Sequence, residues 1–100
     1  MIEKDVEKEL FKLVRAARGW AIKLRMIRLW GFPDRLVIWR WGEIDFVELK
    51  KPGKKPRPLQ VAMHAKLRAY KQRVYNLDTV EKVRAYVEAR TASRVPATRD

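Results

Sequence analysis

The stretch spanning residues 31–58 constrains this chain more than any other. It opens on Gly31-Phe32-Pro33-Asp34, turn chemistry that ends whatever element precedes it. Residues 35–40 (Arg-Leu-Val-Ile-Trp-Arg) have the β-branched and aromatic content of a buried strand. Trp41-Gly42-Glu43 turns the chain, and residues 44–50 continue as a second strand, so the pair predicts a hairpin. Residues 50–58 then hold three prolines, a glycine and five basic residues, which forbid regular structure.

The flanks predict what packs on this hairpin. Residues 3–18 place Val6, Leu10, Leu13, Val14 and Ala17 at helical spacing among good helix formers, and Gly19 is a plausible stop. Residues 20–26 alternate enough to read as a strand. Pro58 sits near the first turn of a helix running to about Tyr70. Residues 73–77 read as a last short strand, and Thr79 is placed to cap a final helix through Arg90. The order α-β-β-β-α-β-α predicts an α/β fold, a small mixed sheet flanked by helices. With 100 residues and no internal repeat, residues 1–90 form one domain and 91–100 a flexible C-terminal tail.

Composition narrows the function. Lys and Arg number 24 against 12 acids, a net charge of +12 whose field attracts polyanions, nucleic acid above all. Cysteine is absent, which excludes disulfide scaffolds, zinc fingers and thiol nucleophiles. The single histidine, His64, supports neither a multi-histidine metal site nor a Ser-His-Asp triad. No apolar run approaches the roughly 20 residues that cross a bilayer. The charged, acidic opening is unlike a signal peptide, so the expectation is a cytoplasmic protein with no membrane partner.

In a chain this basic, the informative carboxylates are those directed at apolar faces. Ile44, Phe46, Glu48 and Lys50 share one strand face, so two large apolar residues lead into a carboxylate and an ammonium. A frayed strand end with a weak surface pair is the other reading of Glu48 and Lys50. If the hairpin pairs around Trp41–Gly42, Asp34 lies beside Glu48 at one edge of the sheet; Asp34 otherwise serves as a turn former. Two carboxylates held together need a shared proton or a cation, and oxygen-only ligands suit Mg²⁺ or Mn²⁺. On the first helix Glu7 falls inside the apolar arc, Glu3 in the same arc at the first turn and Glu9 at its margin; the alternative for Glu7 is an arc-edge side chain snorkelling to water. On the second long helix Leu59, Met63, Leu67 and Tyr70 define an apolar stripe, with Gln60 and His64 four residues apart to its side.

Pro33-Asp34, followed after thirteen residues by Glu48-Leu49-Lys50, resembles the PD-(D/E)xK nuclease signature. The longer set Gly31-Phe32-Pro33-Asp34-Arg35, Phe46 to Gly53 and Pro58-Leu59-Gln60 resembles the virus-type replication–repair nuclease (VRR-NUC) family, over roughly residues 3–83. That resemblance implies a restriction-endonuclease-like αβββαβ core and phosphodiester hydrolysis dependent on Mg²⁺ or Mn²⁺, with no organic cofactor. It implies Asp34, Glu48 and the Leu49 carbonyl as metal ligands, and Glu7 as the acid that completes the site directly or through water. Lys50 would orient or deprotonate the attacking water, and Gln60 would match the helix glutamine beside the site. One departure is Lys71-Gln72, where relatives usually carry glycine in the turn after the second helix.

The resemblance further implies a structure-selective endonuclease that works as a homodimer on branched DNA such as Holliday junctions, in a bacterial or phage-infected cytoplasm. A flap or nicking nuclease is the nearest variant within that class. Lys51, Lys54, Lys55 and Arg57 leave the catalytic strand together and, with Arg35, are expected to contact the DNA backbone. Arg15, Arg18, Lys23, Arg25 and Arg28 form a second basic group. Trp30, Trp39 and Trp41 are candidates for base stacking, core packing or a subunit contact. The competing class is a non-enzymatic nucleic-acid-binding protein that owes everything to its charge.

Overall fold

The structure, a computed structural model, describes residues 3–92. The described elements run α1 (Glu3–Ala16), β1 (Trp20–Lys23), β2 (Arg35–Ile38), β3 (Ile44–Leu49), α2 (Pro58–Ala69), β4 (Arg73–Leu77) and α3 (Val80–Ala92). The order expected from the sequence is therefore present, with strands shorter than the residue pattern suggested. The four strands lie in sequence order in one sheet. β1 and β2 pair antiparallel, as do β2 and β3, whereas β3 and β4 pair parallel through the α2 crossover. This is an α/β fold with the αβββαβ order of a restriction-endonuclease-like core, followed by α3. No helix among the described residues is long and apolar enough to cross a membrane.

One face of the sheet carries the hydrophobic interior. Val6, Leu10 and Val14 of α1 and Val83, Tyr86 and Val87 of α3 close over Val37, Trp39, Val47, Leu49 and Leu77. Burying each such side chain contributes roughly 1.5–3 kcal/mol, so this layer dominates the stability. The expectation that Ile44 and Phe46 mark the buried face is corrected here. Ile44 is exposed and Phe46 half-buried, while Asp45, Val47 and Leu49 on the alternate face are fully covered. The reason is topological: two helices lie on one face of the sheet and only α2 on the other.

The apolar stripe expected on α2 is also revised. Leu59 and Tyr70 are exposed, and the inward face is Gln60, Met63, His64 and Leu67, with His64 fully buried. Spacing of three, four and seven makes that a proper helical stripe, but two of its members are polar.

Element ends follow backbone hydrogen bonding. β1 stops at Lys23 rather than at residue 26, its last link being Leu24 N–H to the Asp34 carbonyl at 2.8 Å. β2 stops at Ile38, where Trp39 N–H bonds to the Glu43 carbonyl and Gly42 N–H to the Trp39 carbonyl, closing the turn. Gly19 is not the left-handed stop of α1; Arg18 takes that conformation at φ 65°. After α2, Lys71 adopts φ 69°, with Gln72 N–H bonded to the Leu67 carbonyl at 3.0 Å. That left-handed helix terminator favours glycine, and this chain bears the strain of a lysine there. Thr91 and Ala92, expected in the tail, belong to α3, and residues 93–100 lie outside the described residues.

Candidate active site

The register of β2 against β3 builds the site. Arg35 is opposite Val47 and Leu36 opposite Phe46, so Asp34, one residue before β2, comes to the level of Glu48. The two carboxylates meet at one end of the two central strands, not on an edge strand. Leu49 N–H donates to Asp34 Oδ1 at 3.3 Å, fixing the carboxylate across the strand ends. Glu48 is buried on the α2 side of the sheet.

α2 is locked to this point by its first turn. Pro58 occupies the start of the helix, where a missing N–H costs nothing. The Gln60 side chain accepts from Arg57 N–H at 2.9 Å through Oε1, and its amide donates to Glu48 Oε2 at 3.0 Å. One glutamine therefore caps a helix and orients a carboxylate. Gly31 allows the Asp34 loop to approach so closely: a Cβ there would stand 2.5 Å from the Leu59 carbonyl oxygen, and its φ is +82°.

The electrostatics of Glu48 are unusual. Burial, and after it the negative charge of Asp34, push its pKa up to about 7, against the pull of Lys50. Lys50 Nζ stands 3.7 Å from Glu48 Oε2. Glu48 Oε1 is buried and has no hydrogen-bond partner among the described residues. A buried oxygen without a donor, next to a second carboxylate, is an energetic liability that a hard cation removes. The donor set is all oxygen, which fits Mg²⁺ or Mn²⁺ rather than a soft metal. Among the described residues no three carboxylate, histidine or cysteine groups close around a common point.

Glu7 and Arg35 complete the description. Arg35 Nη2 donates to Glu7 Oε2 at 2.6 Å, and Arg35 Nη1 pairs with Asp34 Oδ2 at 3.0 Å. Lys23 Nζ lies 3.9 Å from the same Glu7 oxygen. Glu7 is thus tied to Asp34 through Arg35. Arg35, grouped above with the DNA-contacting residues, is only 4% exposed, and its charge is directed at these two acids. Strand alternation contained the signal, because Arg35 shares its face with buried Val37.

Lys50, Lys51, Lys54, Lys55 and Arg57 line a groove of about 380 Å³ beside the carboxylates. Gly53 N–H donates to Asp78 Oδ2 at 3.0 Å, which moors this loop to the end of β4. His64 is buried on the same inward face of α2 as Gln60; burial, then the charges of Arg68 and Lys50, lower its pKa and favour the neutral ring. Of the three tryptophans singled out, Trp39 is core and Trp41 stacks on it at 5.0 Å, while Trp30 is exposed. The Glu3 side chain lies outside the described residues.

Comparison with known proteins places this geometry. No protein-family model matches the chain. It is 44% identical over 77 residues to "Putative nuclease p44" of Acyrthosiphon pisum secondary endosymbiont phage 1, covering 77% of this chain and 83% of that protein. Its fold superposes on a solved structure described as "VRR_NUC domain" with a TM-score of 0.80 and 32% identity, covering 86% of this chain and 94% of that one. Similarity of that extent, in sequence and in fold together, settles the assignment: the chain belongs to the VRR-NUC family of nucleases.

Proposed function

We propose that this protein is a divalent-metal-dependent, structure-selective DNA endonuclease that cuts branched DNA such as Holliday junctions as a homodimer. The observation that carries the metal dependence is the buried, donorless Oε1 of Glu48 beside Asp34. Asp34, Glu48 and the Leu49 carbonyl would hold Mg²⁺ or Mn²⁺, with Glu7 reaching it directly or through water. When bound, the ion neutralises the phosphodiester's negative charge and lowers the pKa of water.

The remaining chemistry falls to the chain itself. Lys50 Nζ, held near Glu48, orients the attacking water and stabilises the extra negative charge of the phosphorane. Water's oxygen forms the new bond to phosphorus, the bond to the leaving sugar oxygen breaks, and a proton ends on that oxygen. Gln60 keeps Glu48 aimed at the site. Lys51, Lys54, Lys55 and Arg57 seat the phosphate backbone without reading bases, which suits selection by DNA shape. A branched substrate has two strands to cut and each chain supplies one site, so a symmetric pair of chains is the economical assembly.

The test is cleavage of a labelled four-way junction and a matched linear duplex, with Mg²⁺, with Mn²⁺ and with EDTA. Paired symmetric cuts in the junction that vanish in EDTA are expected. Tight, salt-sensitive binding with no cutting under either metal would instead identify a protein that only binds nucleic acid, the role its net charge of +12 also serves.

A further inference from the structure

Residues 24–30, between β1 and the Asp34 turn, present an apolar surface in the wrong place for a soluble loop. Ile27 is 82% exposed and Trp30 74%, and Met26 and Leu29 are exposed beside them. No acid occurs anywhere in residues 20–33, whereas Lys23, Arg25 and Arg28 are interleaved with the apolar side chains. The loop ends at Gly31, packed against the Leu59 backbone where α2 begins, and exposed Leu59 extends the same apolar character onto that helix. The other tryptophans make a useful contrast. Trp39 is buried, Trp41 is stacked on it, and Trp20 lines a separate groove with Phe11, Lys12 and Arg15.

We infer that this loop is a wedge for DNA bases left open where a duplex is interrupted, with Trp30 and Ile27 packing on the base faces and Arg25 and Arg28 on the flanking phosphates. The inference rests on the nuclease reading above and adds to it the element that selects the substrate. Two observations favour this occupant. Apolar side chains alternating with cations and lacking acids match a surface that is flat and apolar within an anionic frame, which describes unstacked bases. The loop also leads directly into Asp34. Trp30 is four residues from that carboxylate, at most about 14 Å of chain, so bases held by the wedge fix the scissile phosphate within about four nucleotides of the branch point.

The test uses the full chain with Trp30→Ala, Trp30→Phe and Ile27→Ala, on a four-way junction carrying 2-aminopurine at the branch point and on a linear duplex carrying it internally. Binding and 2-aminopurine fluorescence are read in EDTA, and cutting is read with Mn²⁺. The expected result is a roughly ten- to hundred-fold loss of junction affinity in Trp30→Ala. The 2-aminopurine response should disappear with it, linear-duplex affinity should move less than about threefold, and Trp30→Phe should retain most of the effect. Cuts mapped more than about four nucleotides from the branch point, or equal losses on both DNAs, would overturn the wedge. So would an unchanged junction response, whether Trp30→Ala instead alters the sedimentation of the free protein or its binding to anionic vesicles. A Trp30-dependent fluorescence response without any cutting would leave the wedge standing and sink the nuclease reading; cutting that ignores Trp30 would do the reverse.

Discussion

Asp45 and Glu48 stand three residues apart on β3, both buried, and they point to opposite faces of the sheet. Asp45 Oδ2 receives Trp39 Nε1 at 2.8 Å, the Tyr86 hydroxyl at 2.6 Å and Arg90 Nε at 2.7 Å, and Oδ1 receives Arg73 Nε at 2.6 Å. Burial alone would raise its pKa, but these donors outweigh it and hold the carboxyl below the ordinary value. Glu48 has one amide, one ammonium at 3.7 Å, the weak pull of the Asp34 backbone, and an oxygen, Oε1, that meets no hydrogen-bond donor among the described residues. Its pKa moves the other way, up to about 7. A buried charge whose every lone pair is answered organises the fold; one with an oxygen left open costs it stability. Arg90 shows how far the first arrangement extends, since it also pairs with Glu43 at 2.6 Å and covers the Trp39 and Trp41 rings.

The largest effect should separate the two acids by function. Glu48→Ala, Asp34→Ala and Lys50→Ala are each expected to lower junction cleavage by at least about a thousandfold while changing DNA affinity by less than about tenfold. Single-turnover cleavage with parallel gel-shift titration checks this, and substantial metal-dependent cutting by Asp34→Ala would remove the assignment. The open ligand side of the same pair predicts that Mg²⁺ or Mn²⁺ raises the melting temperature of the wild type, and that Glu48→Gln abolishes the rise.

Stability should separate them in the opposite sense. Asp45→Ala removes an acceptor shared by Arg90, Arg73, Tyr86 and Trp39, leaving the buried Tyr86 and Trp39 donors unanswered, and is expected to cost about 3–5 kcal/mol in urea unfolding. Glu48→Gln, measured in EDTA at pH 8, should instead stabilise by about 3 kcal/mol. The sign follows from its raised pKa: the folded state loses stability as pH rises from the ordinary glutamate value through about 7, because ionisation is harder folded than unfolded. A destabilised Glu48→Gln would mean that its charge is satisfied after all.

The smallest effect is in the acid limb. Asp45, with a depressed folded pKa, contributes stability that is complete above the ordinary aspartate value and lost as pH falls below it. His64, also depressed, contributes stability present above its ordinary value near 6.5 and lost as pH falls, since the unfolded state gains the proton more readily. His64→Leu should therefore flatten the stability profile between about pH 6.5 and 5 and leave the steeper Asp45 limb in place. An unaltered profile in that interval would show that the buried ring takes up its proton as readily as it does in the unfolded chain.

Much of this was legible beforehand for local reasons. Pro33, Gly42 and Pro58 punctuate the chain whatever surrounds them, so the element order could be read from residue type. The pairing of Asp34 with Glu48 followed from a hairpin of known length, and Gln60 with His64 from four-residue helical spacing. What misled was the choice of face. Alternation on β3 shows two faces but not which is covered, and an aspartate beside Ile44 and Phe46 gave no hint that Asp45 points into the interior. Arg35, grouped by sequence with the DNA-facing cations, turns inward for the same reason, on the strand face it shares with buried Val37.

The sequence by itself determined the elements, their order, the excess of positive charge and the acids and lysine brought to the ends of two central strands, because turn residues, side-chain period and hairpin register act over a few residues. Only the tertiary structure decided that α1 and α3 share one face while α2 takes the other. From that follow the complete donor set of Asp45, the open oxygen of Glu48, the inward turn of Arg35 and the outward display of Trp30. Those are properties of what approaches a side chain from distant parts of the chain, and no local pattern carries them.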